Sequence, residues 1–290
     1  MRLGPSELIL NADGSIYHLN LLPHDIAEII ITVGDPDRVT EVSSHFDSIQ
    51  IKKGKREFLT HTGFLNGKRI SVISTGIGTD NIDIVLNELD ALVNIDFETR
   101  KLKKNRIRLK IIRIGTSGAI QEDIPIDSWI LTELAMGFDG LLHFYKNELS
   151  DFMEMEDAFI LQTGWSPKKS RPYVVQFNAD LAKKFKSNRI RLGITITNTG
   201  FYGPQGRTLR LAPSTNGFIE SISNFRYRDR QITNLEMETS GIYALSKLLG
   251  HQAVSLNCIL ANRATGEFSK NPEASVQELI TFALQKITSD

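Results

Sequence analysis

The sequence predicts an α/β protein with a largely parallel core. Short β-branched apolar runs stop at glycine or asparagine, and between them lie stretches whose apolar residues recur at helical spacing. No internal repeat or low-complexity linker interrupts the 290 residues, so 1–290 is expected to form a single domain.

In chain order, "AEIIITVG" (27–34) reads as a strand buried on both faces and ended by Gly34. "VGDPDR" (33–38) follows as a strand exit that opens a helix, with Pro36 in the first turn, where its missing N–H is harmless. "KRISVIST" (68–75) is a further strand. From Asp80 to Asn94 the residues Ile82, Val85, Leu86, Leu89, Leu92 and Val93 form one helical stripe. "RLKIIRIG" (108–115), "DSWILTEL" (127–134), "RLGITITN" (191–198) and "QAVSLNCILAN" (252–262) read as strands. Gly250 stops a helix carrying Ile242, Leu245, Leu248 and Leu249. Asn271 then Pro272 is a cap followed by a first-turn proline, and Val276, Leu279, Ile280, Ala283, Leu284 and Ile287 continue the last helix.

Composition limits the partners. Lys+Arg and Asp+Glu both number 34, a formal net charge of +0, which gives no global attraction to nucleic acid or an anionic membrane. Any anion site must be local. "TRKLKKNRIRLK" is strongly basic between Arg100 and Lys110, but no aromatic residues interleave for base stacking, so it reads as a solvated connection. There is no secretory h-region and no apolar run of about 18 residues, which predicts a cytoplasmic protein. Cys258, the single cysteine, sits in an apolar run as a core residue, and six scattered histidines give no zinc-site spacing; no metal ligands are assigned.

Several local features point to an anion and a sugar. After the first strand, Gly34 allows close approach to free N–H groups and Arg38 adds a fixed cation one turn on. In "RIGTSGAI" (113–120), Arg113 lies inside an apolar strand end and needs an anionic partner, either a protein carboxylate or a bound phosphate that Thr116 also contacts. Arg56, in "KGKREFLT" (53–60), is expected at the start of a strand. In "NLEMETSG" (234–241), Glu238 is either a helix-start carboxylate favoured by the dipole or an acceptor for ribose hydroxyls. "STGIGTDN" (74–81) lacks the third glycine of a dinucleotide fingerprint, and "GFLNGKR" (63–69) is too short for a P-loop.

"VGDPDR", "REFLTHTG", "STGIGTDN", "RIGTSGAI", "FYGPQGR" and "NLEMET" occur in the order and approximate spacing of the nucleoside phosphorylase-I superfamily. Over nearly the whole chain the sequence resembles its uridine-cleaving members. The resemblance implies a three-layer phosphorylase-type α/β fold, with a central mixed β-sheet flanked by helices, and dimers that associate into a hexamer. It assigns phosphate to Gly34, Arg38, Arg113 and Thr116, with Arg56 entering from the neighbouring subunit. It assigns ribose to Thr116, Met237 and Glu238, with His18 from the neighbour, and the base to Phe201, Gln205 and Arg207, walled by Ile259 and Leu260.

What the resemblance implies chemically is reversible phosphorolysis of uridine, with inorganic phosphate as co-substrate and no cofactor. Arg113, Glu238, Gln205 and Arg207 are the expected catalytic groups. Purine-cleaving relatives place an acid where this chain has Asn262, and an amide cannot act as a general acid. Arg263 completes an Asn-Arg pair seen in uridine-cleaving members. Gly203-Pro204 reverses the family's more familiar order, and Gly206 stands where relatives often carry an acid. An intersubunit monovalent cation is a family feature that Glu57 and Ile77 match, whereas Asn81 replaces a serine. The alternatives are a phosphorylase for thymidine, deoxyuridine or many bases, a hydrolytic nucleosidase, and a catalytically silent nucleoside-binding protein.

Overall fold

The β-branched runs are strands of one mixed sheet in the computed structural model, which describes residues 2–148 and 151–289. The strands are β1 (Ile29–Val33), β2 (Ser48–Lys55), β3 (Phe58–Leu65), β4 (Lys68–Ser74), β5 (Ile95–Asp96), β6 (Lys101–Leu102), β7 (Lys110–Ala119), β8 (Trp129–Gly137), β9 (Tyr173–Gln176), β10 (Ile190–Thr197), β11 (Arg226–Tyr227), β12 (Arg230–Glu236), β13 (Gln252–Asn262) and β14 (Glu267–Phe268). The helices are α1 (Pro36–Ser43), α2 (Thr79–Asn94), α3 (Met153–Thr163), α4 (Ala179–Lys183), α5 (Phe218–Asn224), α6 (Thr239–Leu249) and α7 (Pro272–Thr288).

The sheet runs β11-β12-β10-β8-β13-β7-β1-β4-β3-β2, with β9 on β8 and β14 on β13; β5 and β6 pair separately. β1 lies parallel to β4 and β7, β7 to β13, and β10 to β8 and β12. The expected parallel core is therefore present, but β8 runs antiparallel to β13, and β12 antiparallel to the end of β7. That last pairing closes β12-β10-β8-β13-β7 into a ring. It sets Leu235 beside Gly118, so the chain entering Glu236–Glu238 crosses the strand that carries Arg113.

Burial follows the residue pattern. Adjacent Ile30 and Ile31 are both fully buried, which requires cover on both faces of β1. The predicted stripe of α2 is buried at Ile82, Val85, Leu86, Leu89, Leu92 and Val93, against α6. Each such large side chain contributes about 2 kcal/mol relative to an exposed one. α6 also lies on β8, β9, β10 and β13; α7 lies on β7 and β13, and α1 on β3 and β4. Gly250, at φ +83°, ends α6, and the Asn271 side chain caps α7 by accepting from the Ala274 N–H at 3.3 Å.

The basic stretch is exposed at Lys101, Lys104, Arg106, Arg108 and Lys110. Two of its cations are tethers, however: Arg100 donates to the carbonyls of Leu3, Gly4 and Leu8, and Lys103 to that of Val93. Among the described residues, no helix is long and apolar enough to cross a membrane.

Candidate active site

Where β1 ends, Gly34 and Asp35 lead into α1. Asp35 caps the helix by accepting from the Arg38 N–H at 3.0 Å, and its other oxygen lies 3.3 Å from the Arg38 guanidinium. The helix start is thus less open than the sequence suggests. One of its N–H groups is already bound, so Arg38's side chain supplies the main positive charge for an anion.

Arg113 points from the middle of β7 and is almost fully buried. Nη1 donates to Asn257 Oδ1 at 2.7 Å, and Nη2 to Glu238 Oε2 at 2.6 Å, with Glu236 Oε2 at 3.2 Å. The partner the sequence demanded is therefore a pair of protein carboxylates. Gly115 makes this possible: a Cβ there would lie 1.9 Å from Arg113 Nη1. Burial disfavours the guanidinium charge, but Glu236 and Glu238 outweigh it and raise its proton affinity. Burial pushes Glu238 above the usual carboxylate range, opposed by Arg113 and reinforced by Glu236.

The two glutamates divide the work. Glu236 accepts from the N–H groups of Glu238 and Thr239 and from the hydroxyls of Thr197 and Thr239, so it fastens the start of α6. Glu238, considered for that task from sequence, instead accepts from the Gly78 N–H at 3.0 Å and from Arg113. Its position at a strand-to-helix junction leaves it on the cleft wall.

Opposite lies the segment between β10 and α5. Gln205 is buried, and Arg207 donates to its side-chain oxygen and to the Phe201 carbonyl while stacking 3.8 Å above the Phe201 ring. Arg263 donates to the Gln205 carbonyl and anchors the turn. Burial lowers the proton affinity of both arginines, and for Arg263 the nearby Arg207 charge adds to the effect.

These groups share one cleft of about 460 Å³. It brings together Gly34, Arg38, Arg113, Thr116, Phe201, Gln205, Arg207, Met237, Glu238 and Leu260. Ile259 is a correction: it is buried with Ala119, Ile124 and Ile130, outside the cleft. The β13–β7 register shifts between Ile259 and Ala261, leaving Leu260 as the extra residue of a bulge, so Leu260 alone of the two reaches the wall. Arg56 is a second correction. It occupies the turn between β2 and β3 at φ +57° rather than a strand start.

Neither Arg56 nor His18 lines the cleft of its own chain. His18 Nδ1 is 2.6 Å from Glu88, which also accepts its backbone N–H. Asn262 is a structural clamp: its amide donates to the carbonyls of Gln121 and Ile124 and accepts from Ala264 and Thr265. Burial pushes the Cys258 thiol up to about 12, consistent with a core residue.

Glu236, Asn257, Ser117 and Phe268 were not singled out as site residues, although three of them line the cleft and Asn257 holds Arg113. Glu236 left a trace: a carboxylate just ahead of a helix start can accept from the first free N–H groups. Asn257 left none, because its role comes from the β7–β13 register that pairs it with Gly115.

One cleft thus carries a buried carboxylate–arginine network and an amide–arginine pair, charged and hydrogen-bonding groups suited to a polar ligand. The chain belongs to the phosphorylase superfamily, which it matches over residues 28–288, and is an enzyme of the nucleoside phosphorylase family, a pentosyltransferase. It is 31% identical to a uridine phosphorylase of Thermococcus kodakarensis, with 90% of this chain and 82% of that protein covered. It is 26% identical to a DeoD-type purine nucleoside phosphorylase of Buchnera aphidicola, with 93% and 98% covered. A Trypanosoma brucei nucleoside phosphorylase, described as showing uridine phosphorylase activity, superposes with a TM-score of 0.87 at 30% identity, covering 98% of this chain and 100% of that one.

Proposed function

We propose that this protein is a uridine phosphorylase, converting uridine and phosphate reversibly to uracil and α-ribose 1-phosphate. The observation that carries the base assignment is the buried Gln205 bonded to Arg207, which stacks on Phe201 at the cleft wall. An amide offers adjacent donor and acceptor to a pyrimidine edge, and a guanidinium stabilises an oxygen on which negative charge collects. Asn262, fully engaged in holding the 121–124 loop, offers no acid for a purine leaving group.

In this reading Gly34, Arg38 and Thr116 hold phosphate together with Arg113, whose guanidinium Glu236 and Glu238 fix at the cleft wall, while Thr116, Met237 and Glu238 hold the ribose. A phosphate oxygen attacks C1′ as the C1′–N1 bond breaks through an oxocarbenium-like state. The bonding pair leaves with uracil, whose anion Arg207 and Gln205 stabilise until it takes a proton from solvent. Positioning and electrostatics supply the acceleration, and no covalent enzyme intermediate forms.

Arg56 and His18 belong, in this proposal, to the neighbouring subunit's site. Lys55 donates to the Tyr17 carbonyl at 2.6 Å and sits over the Tyr17 ring, so Arg56 and His18 flank one corner of the molecule. The site is then a property of a dimer within a cytoplasmic hexamer, each chain acting as one domain.

The test is uracil release from uridine with and without phosphate, beside inosine and thymidine. Phosphate-dependent cleavage that favours uridine is expected. Faster cleavage of inosine or thymidine would replace the base assignment, phosphate-independent release would make the protein a nucleosidase, and binding without turnover a nucleoside-binding protein. Replacing Arg207 with alanine is expected to lower kcat/KM for uridine by about 100-fold.

A further inference from the structure

A larger cavity, about 770 Å³, lies behind the same turn and is walled in part by Tyr202, Gly203 and Pro204. Its far wall is aromatic. Phe138 and Trp165 have ring centroids 4.4 Å apart, and Phe218 lies 6.3 Å from Phe138. The mouth is apolar and unpacked: Leu209 and Leu211 line it while remaining 70% and 80% exposed. Leucines that line a cavity yet pack against little mark a surface awaiting an apolar body.

Charge narrows the occupant. Lys169 and Arg210 line the cavity, and among the described residues neither has a carboxylate partner; the Lys169 ammonium stands 4.6 Å over the Trp165 ring and 5.3 Å over Phe218. The one acid lining it, Asp139, is already engaged, accepting from the Tyr173 and Ser240 hydroxyls and the Leu141 N–H. The cavity therefore presents aromatic walls and two cations against a single carboxylate whose oxygens are already hydrogen-bonded.

We propose that this cavity is a second ligand site, for an organic acid with a planar aromatic body, and that its occupation is coupled to the substrate cleft. The aromatic body lies against Trp165 and Phe218 under the two leucines, and the acid group meets Lys169 and Arg210. Coupling runs through the Gly203–Gln205 turn, whose Gly203 and Pro204 line this cavity while Gln205 lines the other. Both the Gln205 and Arg207 N–H groups donate to the Tyr202 carbonyl, so Tyr202 cannot shift without moving the two base-facing residues. The coupling, but not the binding, rests on the proposed role of Gln205 and Arg207.

The test uses 1-anilinonaphthalene-8-sulfonate, an aromatic organic acid, titrated into the intact protein and followed by its fluorescence and by energy transfer from Trp165. Binding at one site per chain is expected, weakened about tenfold by Lys169→Glu with Arg210→Glu and also weakened by Leu211→Ser. All three positions are exposed, so the thermal midpoint should hold. No binding, binding unaffected by these variants, or complete displacement by uridine and phosphate at the substrate cleft would overturn the site. At saturating probe the KM for uridine is expected to change. An unchanged KM with binding established would overturn the coupling alone, and inactivity towards uridine would count against the base assignment without touching the binding result.

Discussion

Arg113 is held by neighbours that leave it little freedom, and Gly115 is the most exposed point of that arrangement to mutation. A Cβ at residue 115 would lie 1.9 Å from Arg113 Nη1 and 2.3 Å from Cζ, so Gly115→Ala must push the guanidinium off Asn257 and Glu238. Leaving buried carboxylates without their cation costs roughly 3 kcal/mol, so a clear fall in the urea midpoint is expected, together with loss of most phosphorolysis. Wild-type stability and activity in this variant would show that Arg113 is not held as described. Glu238 gives a pH signature of definite sign. Burial raises its proton affinity, so as pH falls it is neutralised earlier than an ordinary carboxylate. If its anion holds the ribose, the acid limb of kcat/KM lies above the usual carboxylate range. Its effect on stability runs the other way: the contribution is complete below the unfolded-state pKa and is lost as pH rises through the folded-state value. Glu238→Gln should remove that part of the dependence of Tm on pH in the ligand-free protein. An unchanged Tm profile would assign the shift elsewhere.

At the level of elements, the hairpin of β2 and β3 carries an unusual residue at its tip. Lys55 pairs with Phe58, so Arg56 and Glu57 make the whole turn, with Arg56 at φ +57°. Glycine occupies that conformation without the Cβ penalty of about 1 kcal/mol, so Arg56→Gly should raise Tm slightly while lowering activity. A stabilised, fully active variant would leave the arginine without a functional reason. Features set by near neighbours were legible in the sequence: Pro36 in the first turn of α1, the apolar stripe of α2, and Asn271 with Pro272 before α7. Features set by register were not. Ile259 and Leu260 are adjacent apolar residues, and only the bulge opposite Ser117 and Gly118 decides which meets the cleft. β2 alternates exposed and half-buried positions and carries three lysines, a pattern with little apolar signal that still pairs along the sheet edge. The division between Glu236 and Glu238 depended on hydroxyls from β10 and α6, about 40 residues apart for Thr197 and Glu236.

For the whole molecule, Arg38 and Arg113 line the substrate cleft of their own chain, and two expected contributors, His18 and Arg56, lie outside it. If these enter a neighbour's site, damage to donor and recipient should complement. A chain with Arg56→Gly keeps an intact cleft but gives its neighbour nothing. A chain with Arg113→Ala has a damaged cleft but still donates Arg56. Each homodimer is impaired. In a mixed dimer, the cleft of the first chain receives Arg56 from the second, so one site of the two is complete. Random pairing at equal expression makes about half the dimers mixed, hence about a quarter of all sites functional in a two-fold assembly. Co-expressed chains carrying different affinity tags would be isolated by tandem purification and their uracil release compared with that of each homodimer. Recovery of activity only in the mixed population would establish site sharing through Arg56. Activity no greater than the average of the two homodimers would place Arg56 outside the site.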